Sequence, residues 1–386
     1  MKKLFNNLIF KLILGVIIGM LIGSFASKSI IGVIITVKYI LGQIIFFAVP
    51  LIILGFITPS IAKLKQNASK FVGITVLIAY ISSVAAAFLS MIWIRLIPKL
   101  SIASNPEGLK KLPELVFKLD IPPIMSVMSA LALALLIGLA TGWTNSDLIE
   151  KILDQFQNII LSIVNKVIIP ILPLFIATNF AALAYEGSLS TQLPIFLKVI
   201  IIVLIGHFIW LTVLYLIGGA ISKENPWEVL KHYGPAYLTA VGTMSSAATL
   251  PVALKSAKNS KVLRDDIVDF AIPLCSNIHL CGSVLTEVFF VMTVSQILYG
   301  KLPAFSTMLL FIILLGIFAI GAPGVPGGTV MASLGLIISI LAFNEAGTAL
   351  ILTIFALQDS FGTACNVTGD GAIALMLTGI AKKKNL

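Results

Sequence analysis

The chain has 386 residues, 59% of them hydrophobic and 11% charged, with a formal net charge of +10. Soluble domains carry about 25% charged residues, so these numbers exclude a water-exposed globule and fit a lipid-facing surface, where charge is costly. The Lys and Arg residues sit between apolar runs rather than on a basic, aromatic-bearing face, which excludes a nucleic-acid module.

A hydrocarbon core of roughly 30 Å takes about 20 helical residues to cross. In chain order, the apolar runs predict spans at 8–27, 31–62, 70–98, 122–142, 150–186, 193–222, 264–298 and 346–381. Lys2 and Lys3 precede the first run as in a signal peptide, but no small-residue cleavage site leads into a soluble domain. The run is therefore read as the first span. Ser82 and Ser83 make a small polar break in the third span, of a kind serines make when they bond back to helix carbonyls. Cys275, Cys281 and Cys365 are odd in number, lie in apolar stretches and fit no disulfide framework or zinc spacing.

Two segments, 226–258 and 303–344, are apolar at their flanks and broken in the middle. The first centre reads Gly242-Thr243-Met244-Ser245-Ser246-Ala247-Ala248-Thr249-Leu250-Pro251, the second Gly321-Ala322-Pro323-Gly324-Val325-Pro326-Gly327-Gly328-Thr329. Non-helical backbone at membrane depth survives only where protein, water or ligand satisfies it. Paired broken segments, each followed by a polar-studded span, point to a transporter binding site between two repeats of opposite entry, 226–298 and 303–381. Two ordinary short helices in a loop are the bland alternative.

Lys2, Lys3 and Lys11, then Lys63, Lys65 and Lys70, then Lys255, Lys258, Lys261 and Arg264, and finally Lys382, Lys383 and Lys384 mark one side as cytoplasmic. Both termini then lie inside. The basic loop from Lys99 to Lys118 is an exception, since it falls outside.

The last span carries the densest chemistry. At about 100° per residue, Asp359, Thr363, Asn366 and Asp370 fall within roughly 60° of one another. Two carboxylates on one intramembrane stripe mark an ion or substrate path by default. A carboxylate there suits a substrate ammonium or an alkali cation, and Asn366 offers both donor and acceptor. The stripe could instead be a structural hydrogen-bonding network. In the preceding span, Ser276, His279, Ser283 and Glu287 are spaced by three, four and four, which one continuous helix would place on one face. His279 could carry a coupling proton or be a neutral, satisfied histidine. His207 reads as structural, and His232 lies near a loop.

At these residues the chain resembles the dicarboxylate/amino acid:cation symporter family, the glutamate transporter homologues. The order of elements is similar over nearly the whole length. The motifs are Ser245-Ser246 through Thr249-Leu250-Pro251, then Gly324-Val325-Pro326-Gly327, and in the last span Asp359, Thr363 and Asn366-Val367-Thr368-Gly369-Asp370. Gln358-Asp359-Ser360 is similar to the bacterial serine/threonine branch. The resemblance implies an all-α integral membrane fold of eight transmembrane helices and two re-entrant hairpins in inverted repeats. It implies a homotrimer with a static scaffold, an elevator-type moving transport core, and a place in the plasma membrane. The chain then divides into scaffold helices 1–69, a third helix and external loop 70–121, further scaffold helices 122–192, and a transport core 193–386.

By the same resemblance Asp359 binds the substrate ammonium and Asn366 its α-carboxylate, with Gly362, Thr363 and Ser283 nearby. Ser245, Ser246 and the Val325–Gly327 backbone close over it. Asp370 and Asn366 hold a cation with help near Ser276, Asn277 and His279, and Ser82 and Ser83 are further cation-binding residues. The departures matter too. Acidic-substrate members carry an arginine where Gly362 stands, and archaeal relatives carry one at Met244. A buried acidic side chain without a cationic partner is disfavoured, so the expected substrate is a small neutral amino acid such as serine, threonine or alanine. Gly362 also leaves room for larger neutral side chains. Cys281 replaces an aspartate of a deep sodium site, Leu280 replaces a methionine, and Ala319 and Ala322 stand where small hydroxyl residues often sit. Fewer coupled sodium ions, or a proton at His279 in place of one, are the expectation. No other cofactor and no nucleic acid is expected. An acidic-substrate or proton-coupled symporter of the same fold is the alternative, and an ion channel or a membrane-embedded hydrolase is the alternative of another class. The three histidines, in separate elements, make a poor catalytic set.

Overall fold

In lipid every backbone N–H and C=O must be bonded within the protein, and the apolar runs accordingly fold as helices. The computed structural model describes residues 8–66, 70–96, 110–187, 189–322 and 324–384. Lys2, Lys3, Lys99 and Pro323, singled out above, lie outside the described residues. No strand occurs among the described residues.

The first half comprises α1 (Leu8–Phe25), α2 (Lys28–Gln66), α3 (Lys70–Leu96), α4 (Val127–Thr144), α5 (Asp147–Ile163), α6 (Ile169–Glu186) and α7 (Leu189–Ser222). A π-helical turn, Val164–Ile168, joins α5 to α6 without a break. Segments Lys28–Pro59, Val72–Ile94, Asp147–Glu186, Pro194–Ser222, Asp265–Tyr299 and Glu345–Lys383 are long and apolar enough to cross a membrane. Phe10–Phe25 and Ala132–Thr144 are apolar but shorter.

Helix α1 lies against α6 through a stripe of glycines. A Cβ on Gly15, Gly19 or Gly23 would sit 2.6, 2.2 or 2.2 Å from the carbonyl oxygens of Pro173, Ala177 and Ala181. Small residues at a spacing of four let two helix backbones approach, which is how packing replaces the hydrophobic effect in lipid.

The second half holds α8 (Trp227–Leu230), α9 (Gly234–Thr243), α10 (Ser246–Lys258), α11 (Asp265–Ile278), α12 (Cys281–Tyr299), α13 (Phe305–Gly321), α14 (Gly328–Ser339) and α15 (Glu345–Lys384). Each predicted broken segment contains a helix pair. In the first, α9 turns into α10 at Met244, which is left-handed at φ 53°, and Ser245 caps α10 by accepting from the Ala248 N–H. In the second, α13 ends at Gly321 and α14 begins at Gly328, with Gly327 left-handed at φ 71° before it. The pairs are anchored at opposite ends of the molecule. Lys258 bonds Asp269 at one end, where Lys382 also bonds Glu224, and Tyr299 bonds Asn344 at the other. Their tips meet midway, where the Ser245 hydroxyl donates to the Gly324 carbonyl at 2.7 Å.

One expectation is corrected. Residues 264–298 do not form one helix: α11 stops at Ile278, and α12 starts at Cys281. His279 is extended and Leu280 is non-helical between them. Ser276 and His279 therefore do not share a helix face with Ser283 and Glu287. The enclosed core is made of α12 and α15, which are nearly all buried, with one face of α11 packed against them, whereas the span in α3 is only one-third buried.

Candidate functional site

Helix α15 is continuous through its polar stripe, so the 100° spacing holds. Asp359, Thr363, Asn366 and Asp370 are only 3%, 5%, 2% and 1% exposed. Asp359 and Asp370 are each held by a non-helical residue of another element, Gly327 and His279, and Asn366 by the first-turn amides of α12.

Asp359 Oδ2 accepts the Gly327 N–H at 2.6 Å. The left-handed Gly327 turns that amide toward α15 at the start of α14, where N–H groups lack helical partners. Asn366 Oδ1 accepts from the amides of Gly282 at 2.7 Å and Ser283 at 3.1 Å, and its Nδ2 donates to Ser283 Oγ at 2.9 Å. Those two amides are free because α12 begins at Cys281, so a side chain from α15 caps α12. The contact needs Gly282: a Cβ there would lie 2.4 Å from Cys365 Cβ and 2.5 Å from Gly362 O.

His279 stands in the break. Its Nδ1 lies 2.9 Å from Asp370 Oδ1 and its Nε2 lies 2.8 Å from Ser82 Oγ. A neutral ring that donates from Nδ1 to the carboxylate accepts the Ser82 hydroxyl proton at Nε2. The imidazole thus ties α15 to α3.

The other expected residues divide. Ser245 and Gly324 join the tips, Ser246 is buried beside them, and Val325 is half-buried in the turn, its carbonyl accepting from Gly328 N–H. Gly362 faces Ser283, with the Ser283 Cα 3.4 Å from where a Gly362 Cβ would be. The Ser276 carbonyl lies near the second tip, 3.9 Å from the corresponding point on Gly324. The Ser276 hydroxyl bonds back to the Pro273 carbonyl, however. Asn277 is exposed and its amide also bonds Pro273 O, so its side chain does not join the site. Ser83 is buried, and its Oγ has no hydrogen-bond partner among the described residues.

Gly327 and Ser283 were expected at the site, but three contacts were not: the Gly327 amide on Asp359, the Gly282–Ser283 amides on Asn366, and Ser333 donating to Glu287. Glycines at a hairpin tip and at a helix start were the available signal. His207 is buried, with Nε2 2.9 Å from Thr286 Oγ1 and 3.1 Å from Gly282 O, so it braces the start of α12. The three cysteines are free and buried. Away from the stripe, a cavity of about 350 Å³ opens between α2, α6 and the start of α15.

The arrangement offers a carboxylate under one hairpin tip, an amide capping the helix that starts after the break, and a second carboxylate about three turns from the first. The profile of the sodium:dicarboxylate symporter family matches residues 8–380. Excitatory amino acid transporter 2 of Mus musculus is 25% identical over 268 residues, covering 67% of this chain and 46% of the relative. Excitatory amino acid transporter 1 of Ambystoma tigrinum is 28% identical over 200 residues, covering 50% and 35%. The putative sodium-dependent excitatory amino acid transporter glt-6 of Caenorhabditis elegans is 32% identical over 164 residues, covering 42% and 30%. The chain spans about half the length, or less, of the curated relatives it matches. With the family profile running through both hairpins and the α15 stripe, the chain belongs to the sodium:dicarboxylate symporter family, a family of transporters rather than enzymes.

Proposed function

We propose that this protein is a sodium-coupled symporter of a small neutral amino acid, working in a plasma membrane as a homotrimer with both termini cytoplasmic. The carrying observation is the buried α15 stripe, whose Asp359 bonds the second hairpin tip, which is itself bonded to the first. Asp359 takes the substrate ammonium, a charge-assisted contact for which the Gly327 amide now substitutes. Asn366 and Thr363 take the α-carboxylate end. Ser245, Ser246 and the Val325–Gly327 backbone form the lids. Asp370, with Asn366 and the Ser276 carbonyl, receives the cation. Residues 193–386 move as the transport core against the scaffold helices α1, α2 and α4–α6.

The relatives are named for excitatory amino acids, yet a neutral substrate is supported here. Gly362 supplies no cation, and α15 has no basic residue before Lys382. The chain's two arginines are Arg95 and Arg264, neither of them in α15. An acidic side chain brought into this site would be buried unpaired.

One observation favours a second reading of the coupling ion. His279 joins Ser82 and Asp370 at the place where the resemblance implies a deep cation. A proton there in place of one sodium ion fits that contact. The deciding experiment is uptake of labelled serine into proteoliposomes with an inward sodium gradient and equal pH on both sides. Accumulation that collapses with the sodium gradient supports sodium coupling. Accumulation that follows a pH gradient alone transfers the coupling to His279, and uptake of aspartate but not serine overturns the neutral substrate.

A further inference from the structure

The cavity between α2, α6 and the start of α15 has no part in the proposed binding scheme. Its volume of about 350 Å³ falls within the roughly 300–1,000 Å³ of pockets that hold small molecules. Its depth is apolar: Gly42, Phe175 and Ala349 are buried there, and Phe46 is half-buried beside them. Its rim is charged: Lys118, from the segment before α4, and Glu345, at the start of α15, are both exposed. Lys38, on α2, is half-buried in the wall.

The polar groups of this wall have donors to spare. Gln43 Oε1 accepts the Ile121 N–H at 3.3 Å, which leaves its Nε2 to donate. Lys38 has no hydrogen bond or ion pair among the described residues, since Glu186 and Glu345 act on its charge only from beyond contact. Lys118 Nζ reaches Asp120 at no less than 4.0 Å and lies 5.9 Å from the centre of the Tyr39 ring. Tyr39 gives its own hydroxyl proton to Asp120. Glu345 is the one carboxylate among the described lining residues, and it stands in the first turn of α15, where a helix N-terminus favours negative charge. Two ammonium groups and an amide N–H therefore face a space whose depth is apolar. A group that answers them must be an acceptor at one end and apolar at the other.

We infer that this cavity binds a small amphiphilic monocarboxylate, with its carboxylate at Lys38 and Gln43 and its apolar body against Phe46 and Phe175. A carboxylate only accepts, so it takes a charge-assisted bond from Lys38 and a neutral one from Gln43 without leaving a donor of its own unmet. Lys38 and Phe175 belong to the scaffold helices of the transport reading above, whereas Ala346 and Ala349 belong to its moving core. An occupant touches both and resists their relative motion. That consequence rests on the transport reading; the binding itself does not.

The test uses 2-naphthoate as the probe and 2-naphthylmethanol, its uncharged counterpart, as the control. With the purified full chain in lipid nanodiscs, 2-naphthoate is expected to raise the melting temperature and the alcohol to leave it unchanged. Lys38→Met is expected to weaken the 2-naphthoate effect by about 10- to 100-fold, the worth of a bond to a charged group. Lys118, being exposed, tolerates replacement, and Lys118→Met supplies the same comparison if Lys38→Met does not fold. In proteoliposomes 2-naphthoate should lower the maximal rate of serine uptake without shifting the half-saturating serine concentration, and Lys38→Met should escape this while keeping its uptake. An equal shift with the alcohol, or a 2-naphthoate shift unchanged in both lysine variants, overturns the site. A rise in half-saturating serine alone places the probe at the α15 stripe and overturns the inference too. A chain that takes up no serine yet gives the lysine-dependent melting shift loses the neutral amino acid reading and keeps this site.

Discussion

The Nδ1 of His279 lies 2.9 Å from Oδ1 of Asp370, and neither side chain reaches solvent. The ring occupies one oxygen of the carboxylate proposed to receive the cation, and Ser82 holds the ring from its far side. His279→Asn removes the titratable ring and keeps a polar side chain in the helix break. The expected outcome is a rise in sodium ions carried per substrate, read as a flux ratio or a reversal potential in proteoliposomes. An unaltered ratio removes any proton role from His279.

Asn366 does two jobs with opposite charge preferences. Its oxygen caps the Gly282 and Ser283 amides, and its amide nitrogen bonds Ser283 Oγ. Asn366→Asp keeps both acceptor contacts, so its thermal melt stays within a few degrees of wild type. It sets a carboxylate against the substrate's α-carboxylate, so uptake falls by at least about 100-fold, roughly 2.7 kcal/mol of binding. Asn366→Leu instead leaves two buried amides unsatisfied, at about 1–3 kcal/mol each, and lowers the melting temperature as well. Equal melts for the two variants would remove the capping role.

Much of this was legible in the sequence, for reasons that differ by element. The α15 stripe could be read because α15 is one unbroken helix, and constant rotation per residue preserves the angles between Asp359, Thr363, Asn366 and Asp370. The hairpins could be placed because small residues and proline interrupt apolar runs around Ser245 and Gly324. The break at His279 and Leu280 could not, because neither residue is a helix breaker. It persists because Asn366, 83 and 84 positions away, takes up the amides the break frees. Periodicity likewise does not report pairs between distant elements, such as Gly327 with Asp359 or Ser333 with Glu287. For His279 and Ser82, 197 residues apart, only the family resemblance placed both at a cation site.

Gly282 is where α12 and α15 come closest. A Cβ at 2.4 Å from Cys365 Cβ and 2.5 Å from the Gly362 carbonyl meets backbone and a short side chain, which cannot swing away. Gly282→Ala is expected to destabilise by about 1–3 kcal/mol and to weaken substrate binding through the displaced Ser283. Gly73, inside α3 with open space around its Cβ direction, is the contrast. Gly73→Ala should stabilise by about 0.5–1 kcal/mol through helix propensity. Thermal melts of the two purified variants check the pair, and matching shifts would show that the close approach is not a constraint.

Ser245 acts at both tips. Its hydroxyl accepts from the Ala248 amide as the cap of α10 and donates to the Gly324 carbonyl 2.7 Å away. Alanine at this position loses both contacts. The cap loss costs about 1 kcal/mol and is local, since α10 remains packed on α11. The tip contact is the only one of the two that crosses between hairpins, so its loss frees 324–328 to move away from 245–246. Ser245→Ala should therefore exchange amide hydrogens faster at Gly324 and Gly327 as well as at Ala248, and release bound substrate faster, with little change in the global melt. Faster exchange at Ala248 alone would mean that the serine is a helix cap and that the tips are held together by other contacts.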